Sequence, residues 1–133
     1  MAQTIDHIVD PSDSSLASEM VQFPGTAGTV SAYVSRPKDG RNLGTVIVIH
    51  ENRGLVGHIK DVARRFAKDG FAAIAVDCMG RIGGSDQYNG SDAATEAIKK
   101  VTGAMVAEDL TAALSYMKKQ NYVNGKFGVV GYC

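Results

Sequence analysis

Val46-Ile47-Val48-Ile49, followed by His50-Glu51-Asn52-Arg53-Gly54-Leu55, decides the reading of this chain. Four consecutive β-branched residues make a strand that is apolar on both faces. Such strands belong to parallel sheets covered by helices on either side. Phe71-Ala72-Ala73-Ile74-Ala75-Val76 and Phe127-Gly128-Val129-Val130 have the same character. Between the first two runs, Ile59, Val62, Ala63, Phe66 and Ala67 recur at helical spacing. Lys60, Asp61, Arg64, Arg65 and Lys68 fill the opposite face, and Gly70 stands at the C-terminal cap position.

The second crossover is longer. Met79 to Ser91 reads as a glycine-rich loop, and Asp92 as the cap of a helix running to about Lys100. Gly103 marks a break, after which Val106, Leu110, Ala113, Leu114 and Met117 share one helical face. Strand-helix-strand-helix-strand predicts a parallel sheet with right-handed crossovers, its three apolar strands being neighbours. Ahead of it, Glu19–Pro24 and Thr29–Arg36 read as a hairpin turned by Gly25-Thr26-Ala27-Gly28, adding antiparallel strands at one edge. Residues 1–18 read as an extended or loosely ordered arm, and residues 19–133 as one α/β unit.

Composition narrows the function. Of 133 residues, 44% are hydrophobic and 21% charged, as in ordinary globular proteins. Fourteen basic and fourteen acidic residues cancel, so neither a nucleic-acid nor a membrane partner is expected. The polar start lacks a basic-then-apolar leader, and the two cysteines read as reduced thiols, so a cytoplasmic location is expected. No phosphate-cradling glycine motif and no zinc-type cysteine and histidine spacing occurs.

In open α/β sheets, ligands bind beyond the carboxyl ends of the strands. Three such ends are visible: His50–Leu55, Asp77–Arg81 and Tyr132-Cys133. The run Lys126–Cys133 reads as a buried strand ending in Gly-x-Cys, the first half of a nucleophile elbow. Cys133 is therefore the candidate nucleophile. A thiol attacks as thiolate, and near its ordinary pKa of ~8.5 it needs a base at neutral pH. No residue follows Cys133 in the sequence, so the second glycine of the elbow and one backbone N–H of the oxyanion hole are missing.

Val48-Ile49-His50-Glu51-Asn52-Arg53-Gly54-Leu55, the Ile59–Phe66 helix, Asp77 with Arg81 soon after, and Gly131-Tyr132-Cys133 resemble the dienelactone hydrolase family in order and content, from Glu19 to Cys133. The resemblance implies the N-terminal portion of an α/β-hydrolase fold. It implies a Cys-His-Asp triad that opens lactones or cleaves carboxylic esters with no cofactor. Position by position, Cys133 matches the nucleophile and Glu51 the carboxylate contacting its resting thiol. The backbone N–H of Asn52 matches one oxyanion donor, and Arg81 the arginine that holds a substrate carboxylate. Arg53 reads as structural.

The triad histidine and aspartate are expected from a complementing C-terminal segment or a second chain. The three histidines present do not replace them. His7 lies in the arm, His58 begins a helix, and His50 ends a central strand as a packed, hydrogen-bonded imidazole. Alone, the chain is expected to be almost inactive. The alternative is a non-catalytic α/β module that associates with another chain.

Overall fold

The three apolar runs lie side by side in a five-stranded sheet. A computed structural model describes residues 7–132, so Cys133 lies outside the described residues. The strands are Leu16–Gly25 (β1), Gly28–Pro37 (β2), Leu43–Ile49 (β3), Ala72–Val76 (β4) and Val123–Gly131 (β5), in the spatial order β1-β2-β4-β3-β5. β3 runs parallel to both neighbours, with Ile47 opposite Ile74 of β4 and Val129 of β5. The β1–β2 hairpin is antiparallel, and β2 joins the sheet antiparallel to β4.

Helices Gly57–Lys68 (α1), Asp92–Ala97 (α2) and Gly103–Lys118 (α3) make the crossovers. Alternate strand residues point to opposite faces. Val48, Ala73 and Ala75 pack with Ile59, Val62 and Ala63 of α1. Ile47, Ile74 and Val76 pack with Ala113 and Met117 of α3. Every residue of β4 is buried, as a strand covered on both faces requires. Ile59 and Val62 of α1 are buried, and each contributes about 1.5–3 kcal/mol. Phe71, expected in the strand, precedes it. Its N–H still donates to the Phe66 carbonyl as the helix exits, and its ring meets that of Phe66 edge-on at 6.3 Å. Ser91 rather than Asp92 occupies the N-cap position of α2, without a side-chain capping bond, and Gly103 opens α3 with Thr102 Oγ1 accepting from the Met105 N–H.

The charged face of α1 departs from the solvated face that the sequence predicts. Asp61 is fully buried and Arg64 nearly so. The arm covers them: the Ile8 and Val9 N–H groups donate to Asp61 Oδ1 at 2.9 and 2.8 Å, and Arg64 Nε donates to the Val9 carbonyl at 2.7 Å. Arg64 also reaches the Tyr33 hydroxyl, and Arg65 Nε donates to Asp61 Oδ2. Burial pushes the Asp61 carboxyl up, but the bonds from Val9, Ile8 and Arg65 outweigh it and leave its pKa lowered. Ile8 and Val9 are thus fastened to α1, as are Asp13 and Ser15 through Lys68, and β1 begins at Leu16, ahead of the strand read from Glu19.

β5 lies at the sheet edge. The run read from the sequence as a buried strand is instead largely exposed at this edge: Phe127 and Val129 share one of its faces and are 51% and 53% exposed. No helix of the described residues is long and apolar enough to cross a membrane.

Candidate active site

The strand ends converge as the topology dictates. The Tyr132 N–H donates to the Ile49 carbonyl at 3.2 Å, which brings the carboxyl end of β5 against that of β3. Glu51 stands two residues beyond Ile49 and is half-buried. Among the described residues its carboxylate has no hydrogen-bond partner. Cys133, the residue after Tyr132, lies outside the described residues.

His50 is buried and committed on both ring nitrogens. The Cys78 N–H donates to Nε2 at 3.0 Å, so this nitrogen must be an acceptor and Nδ1 must carry the proton. Nδ1–H then donates to the Glu51 carbonyl at 2.8 Å. The imidazole holds backbone, as read from the sequence, and has no lone pair left for a thiol. His58 is exposed on α1.

The loop after β3 is a tight turn. The Gly54 N–H donates to the Glu51 carbonyl and the Val56 N–H to the Gly54 carbonyl. Gly54 has φ +90° and no room for a side chain: a Cβ would lie 2.6 Å from Ser85 Oγ. Asn52 and Arg53 face solvent, and Arg53 donates to the Gly90 carbonyl, a structural tie made to the glycine-rich loop rather than to the sheet edge.

Behind this loop sits a polar cluster that the sequence reading missed. Asp77 and Ser85 are buried. Ser85 Oγ donates to Asp77 Oδ1 at 2.6 Å, the Ser85 N–H donates to Asp77 Oδ2 at 2.9 Å, and the Leu55 N–H donates to Ser85 Oγ at 2.8 Å. No periodicity marks such a cluster. Its one sequence signal is Gly83-Gly84, whose positive φ angles turn the chain back onto Asp77. Cys78 is buried beside it. Burial first, then the charges of Asp109 and Asp77, push its thiol up to about 12, which disfavours the nucleophilic thiolate.

Arg81 has partners that the sequence did not disclose. Its Nη2 meets Glu108 at 2.7 Å and Asp109 at 3.0 Å, and also donates to Thr26 in the hairpin turn. Asp109 is buried, while Glu108 is half-exposed. The Arg81 hydrogen bond, followed by that of Thr26, holds the Glu108 carboxyl below its usual range. The guanidinium therefore ties three segments together, and holding a substrate carboxylate would mean exchanging one of these partners. Among the described residues, no group of three or more His, Cys, Asp or Glu is placed to hold a metal ion.

Comparison with known proteins agrees with this architecture. A Methylorubrum extorquens protein provisionally named carboxymethylenebutenolidase is 35% identical over 115 residues, covering 85% of this chain and 40% of that protein. An Escherichia coli K12 protein, provisionally named hydrolase fragment YghX, is 39% identical over 87 residues, covering 63% of this chain and 72% of its own length. A crystal structure from Klebsiella pneumoniae, provisionally named dienelactone hydrolase, superposes with a TM-score of 0.77 at 30% identity, covering 89% of this chain and 50% of that one. The chain thus spans about half the length or less of the Methylorubrum and Klebsiella proteins. Its sheet and helices are those of the N-terminal portion of an α/β-hydrolase fold. The model of the dienelactone hydrolase family matches residues 30–133, and the chain belongs to that family.

Proposed function

We propose that this chain carries the nucleophile half of a cysteine-dependent ester or lactone hydrolase. Cys133 is the nucleophile, Glu51 contacts its resting thiol, and the Asn52 N–H is one oxyanion donor. The observation that carries the reading is the Tyr132–Ile49 hydrogen bond, which joins β5 to β3 just ahead of Cys133 and Glu51. Family membership supplies the reaction class.

In this mechanism the triad imidazole takes the Cys133 thiol proton, becoming the imidazolium that later protonates the leaving alkoxide, and the resulting thiolate attacks the ester carbonyl carbon. A carbon–sulfur bond forms and the π electrons move to oxygen, where the oxyanion donors meet them. Collapse expels the alkoxide, which takes a proton from the triad imidazole and leaves a thioester. Water, deprotonated by the same imidazole, then attacks the thioester, releasing the carboxylic acid and the thiol. With His50 occupied on both nitrogens, that imidazole and its aspartate come from a complementing C-terminal segment or a second chain. The half-exposed Phe127 and Val129 on the edge strand support an added segment there, because an uncovered apolar edge invites pairing. They equally favour the alternative, a non-catalytic module that associates with another chain. Arg81 serves a substrate carboxylate by releasing Glu108 while keeping the buried Asp109. The reduced thiols suit a cytoplasmic location.

The test is hydrolysis of an activated ester and of a lactone, by the chain alone and by the chain joined to the unmatched part of the Methylorubrum relative. The expected result is turnover by the joined protein, lost on Cys133→Ala, with almost none by the chain alone. Turnover that survives Cys133→Ala would remove the thiol from the mechanism. An inactive joined protein of correct mass would favour the non-catalytic module.

A further inference from the structure

The direction of the Asn52 N–H is fixed by the peptide it belongs to. The Glu51 carbonyl and the Asn52 N–H share one plane and point in opposite directions across a trans peptide. Whatever holds that carbonyl therefore aims that N–H. Two donors hold it: His50 Nδ1–H at 2.8 Å and the Gly54 N–H at 3.1 Å. Each donor is in turn fastened to the end of β4. His50 Nε2 accepts from the Cys78 N–H, and the residue after Gly54 donates its N–H to Ser85 Oγ.

Ser85 can play this part because of how its hydroxyl is used. A hydroxyl has one proton. Here it goes to Asp77 Oδ1 at 2.6 Å, so toward Leu55 the oxygen can only accept. Asp77 Oδ2 takes the Ser85 N–H, which fixes the serine backbone as well. Ser85 and Leu55 are both buried, so no water replaces the bond at low cost. Gly54 lies close enough against Ser85 that any Cβ would collide. Consecutive residues Asp77 and Cys78 thus grip the turn from both sides.

We propose that Ser85, seated on Asp77, is a positioning residue that, together with the His50–Cys78 contact, aims the Asn52 N–H and holds Glu51 toward the nucleophile. This rests on the reading of Asn52 as oxyanion donor and Glu51 as thiol contact. Neither Ser85 nor Asp77 touches substrate; each acts through the loop.

The test uses the 133-residue chain itself. In the unmodified protein the Leu55 amide should exchange at least tenfold more slowly than the exposed Arg53 amide, though its acceptor is a side chain. Ser85→Ala should abolish that protection and perturb the Asn52 amide resonance, leaving the Ile47 and Ile74 amides as they were. Ser85→Thr, which keeps the hydroxyl, should restore both. In parallel, the pH profile of Cys133 alkylation, resolved by peptide mass, should move to lower pH in Ser85→Ala. That shift should be part of the one seen in Glu51→Gln. A Leu55 amide that exchanges as fast as Arg53 in the unmodified protein overturns the proposal without any variant. Loss of protection spread evenly over the sheet, or no recovery in Ser85→Thr, also overturns it. If Glu51→Gln leaves the alkylation profile in place, the catalytic reading of Glu51 fails, and the clamp is judged on the amides alone.

Discussion

Gly54→Ala should be among the most damaging small substitutions in the chain. The new Cβ would lie 2.6 Å from Ser85 Oγ, 2.8 Å from Met79 Sδ and 3.1 Å from Ser85 Cβ. At φ +90° a non-glycine residue also costs about 1–2 kcal/mol in backbone strain. Relieving the clash by moving Ser85 breaks the Leu55–Ser85–Asp77 chain and strands a buried N–H, at about 1–3 kcal/mol. The two together give about 2–5 kcal/mol, or a fall in Tm of roughly 6–15 °C for a chain of this size. The assay is thermal unfolding beside a Gly57→Ala control. That position opens α1 with nothing within 4 Å of a built Cβ, so the control should stay within about 1 kcal/mol. A Gly54→Ala protein as stable as the Gly57→Ala control would refute the claim that this loop is held by close approach to Ser85.

Asp61→Ala should release the arm from α1 and cost about 3–5 kcal/mol, because it strands Arg64 in a buried site; protection of the Ile8 and Val9 amides from exchange reports the release. Because the folded Asp61 pKa lies below the unfolded value of ~3.9, its stabilisation is complete above that pH and fades as pH falls further. A chemical-denaturation series from pH 6 to pH 2.5 should show this loss, and Asp61→Asn should flatten it. Cys78, with its thiol at about 12, should resist iodoacetamide in the folded chain at pH 8 and react only after unfolding, as counted by intact mass. Phe127→Lys with Val129→Lys should reduce self-association without changing far-ultraviolet circular dichroism, since both side chains point off an edge strand; sedimentation measures the first and would show no change if the edge is inert.

The sheet was legible because its cause is local. Val46–Ile49 and the Ala72–Val76 core of the second run are apolar on both faces, as strands covered by helices on both sides must be; Phe127–Val130 is as apolar, yet Phe127 and Val129 stand half-exposed on the edge strand. The helix after β3 declared itself through Ile59, Val62 and Ala63. What stayed hidden was long-range polar pairing. Asp61 and Arg64 sit where a helix normally meets water, and only the arm, some 50 residues earlier, explains their burial. Arg81 matched a substrate-carboxylate arginine with no sign of its own partners, because Glu108 and Asp109 follow it by 27 and 28 residues with no periodic signal. Ser85 was lost in a glycine-rich loop for the same reason. His50 was the exception: a histidine closing a buried strand has little choice but to bond to backbone.

The most direct test of the account is the pH dependence of Cys133 alkylation in the unmodified chain against Glu51→Gln. A carboxylate about 4 Å from a thiol opposes the thiolate by ~1 kcal/mol in water and ~4 kcal/mol at an effective dielectric of 20, which is roughly 0.7 to 3 pH units. Glu51→Gln should move the midpoint down by an amount in that range, with Asp86→Asn leaving it unchanged. Superimposable profiles for the unmodified chain and Glu51→Gln would place the two groups in separate environments and contradict the shared site.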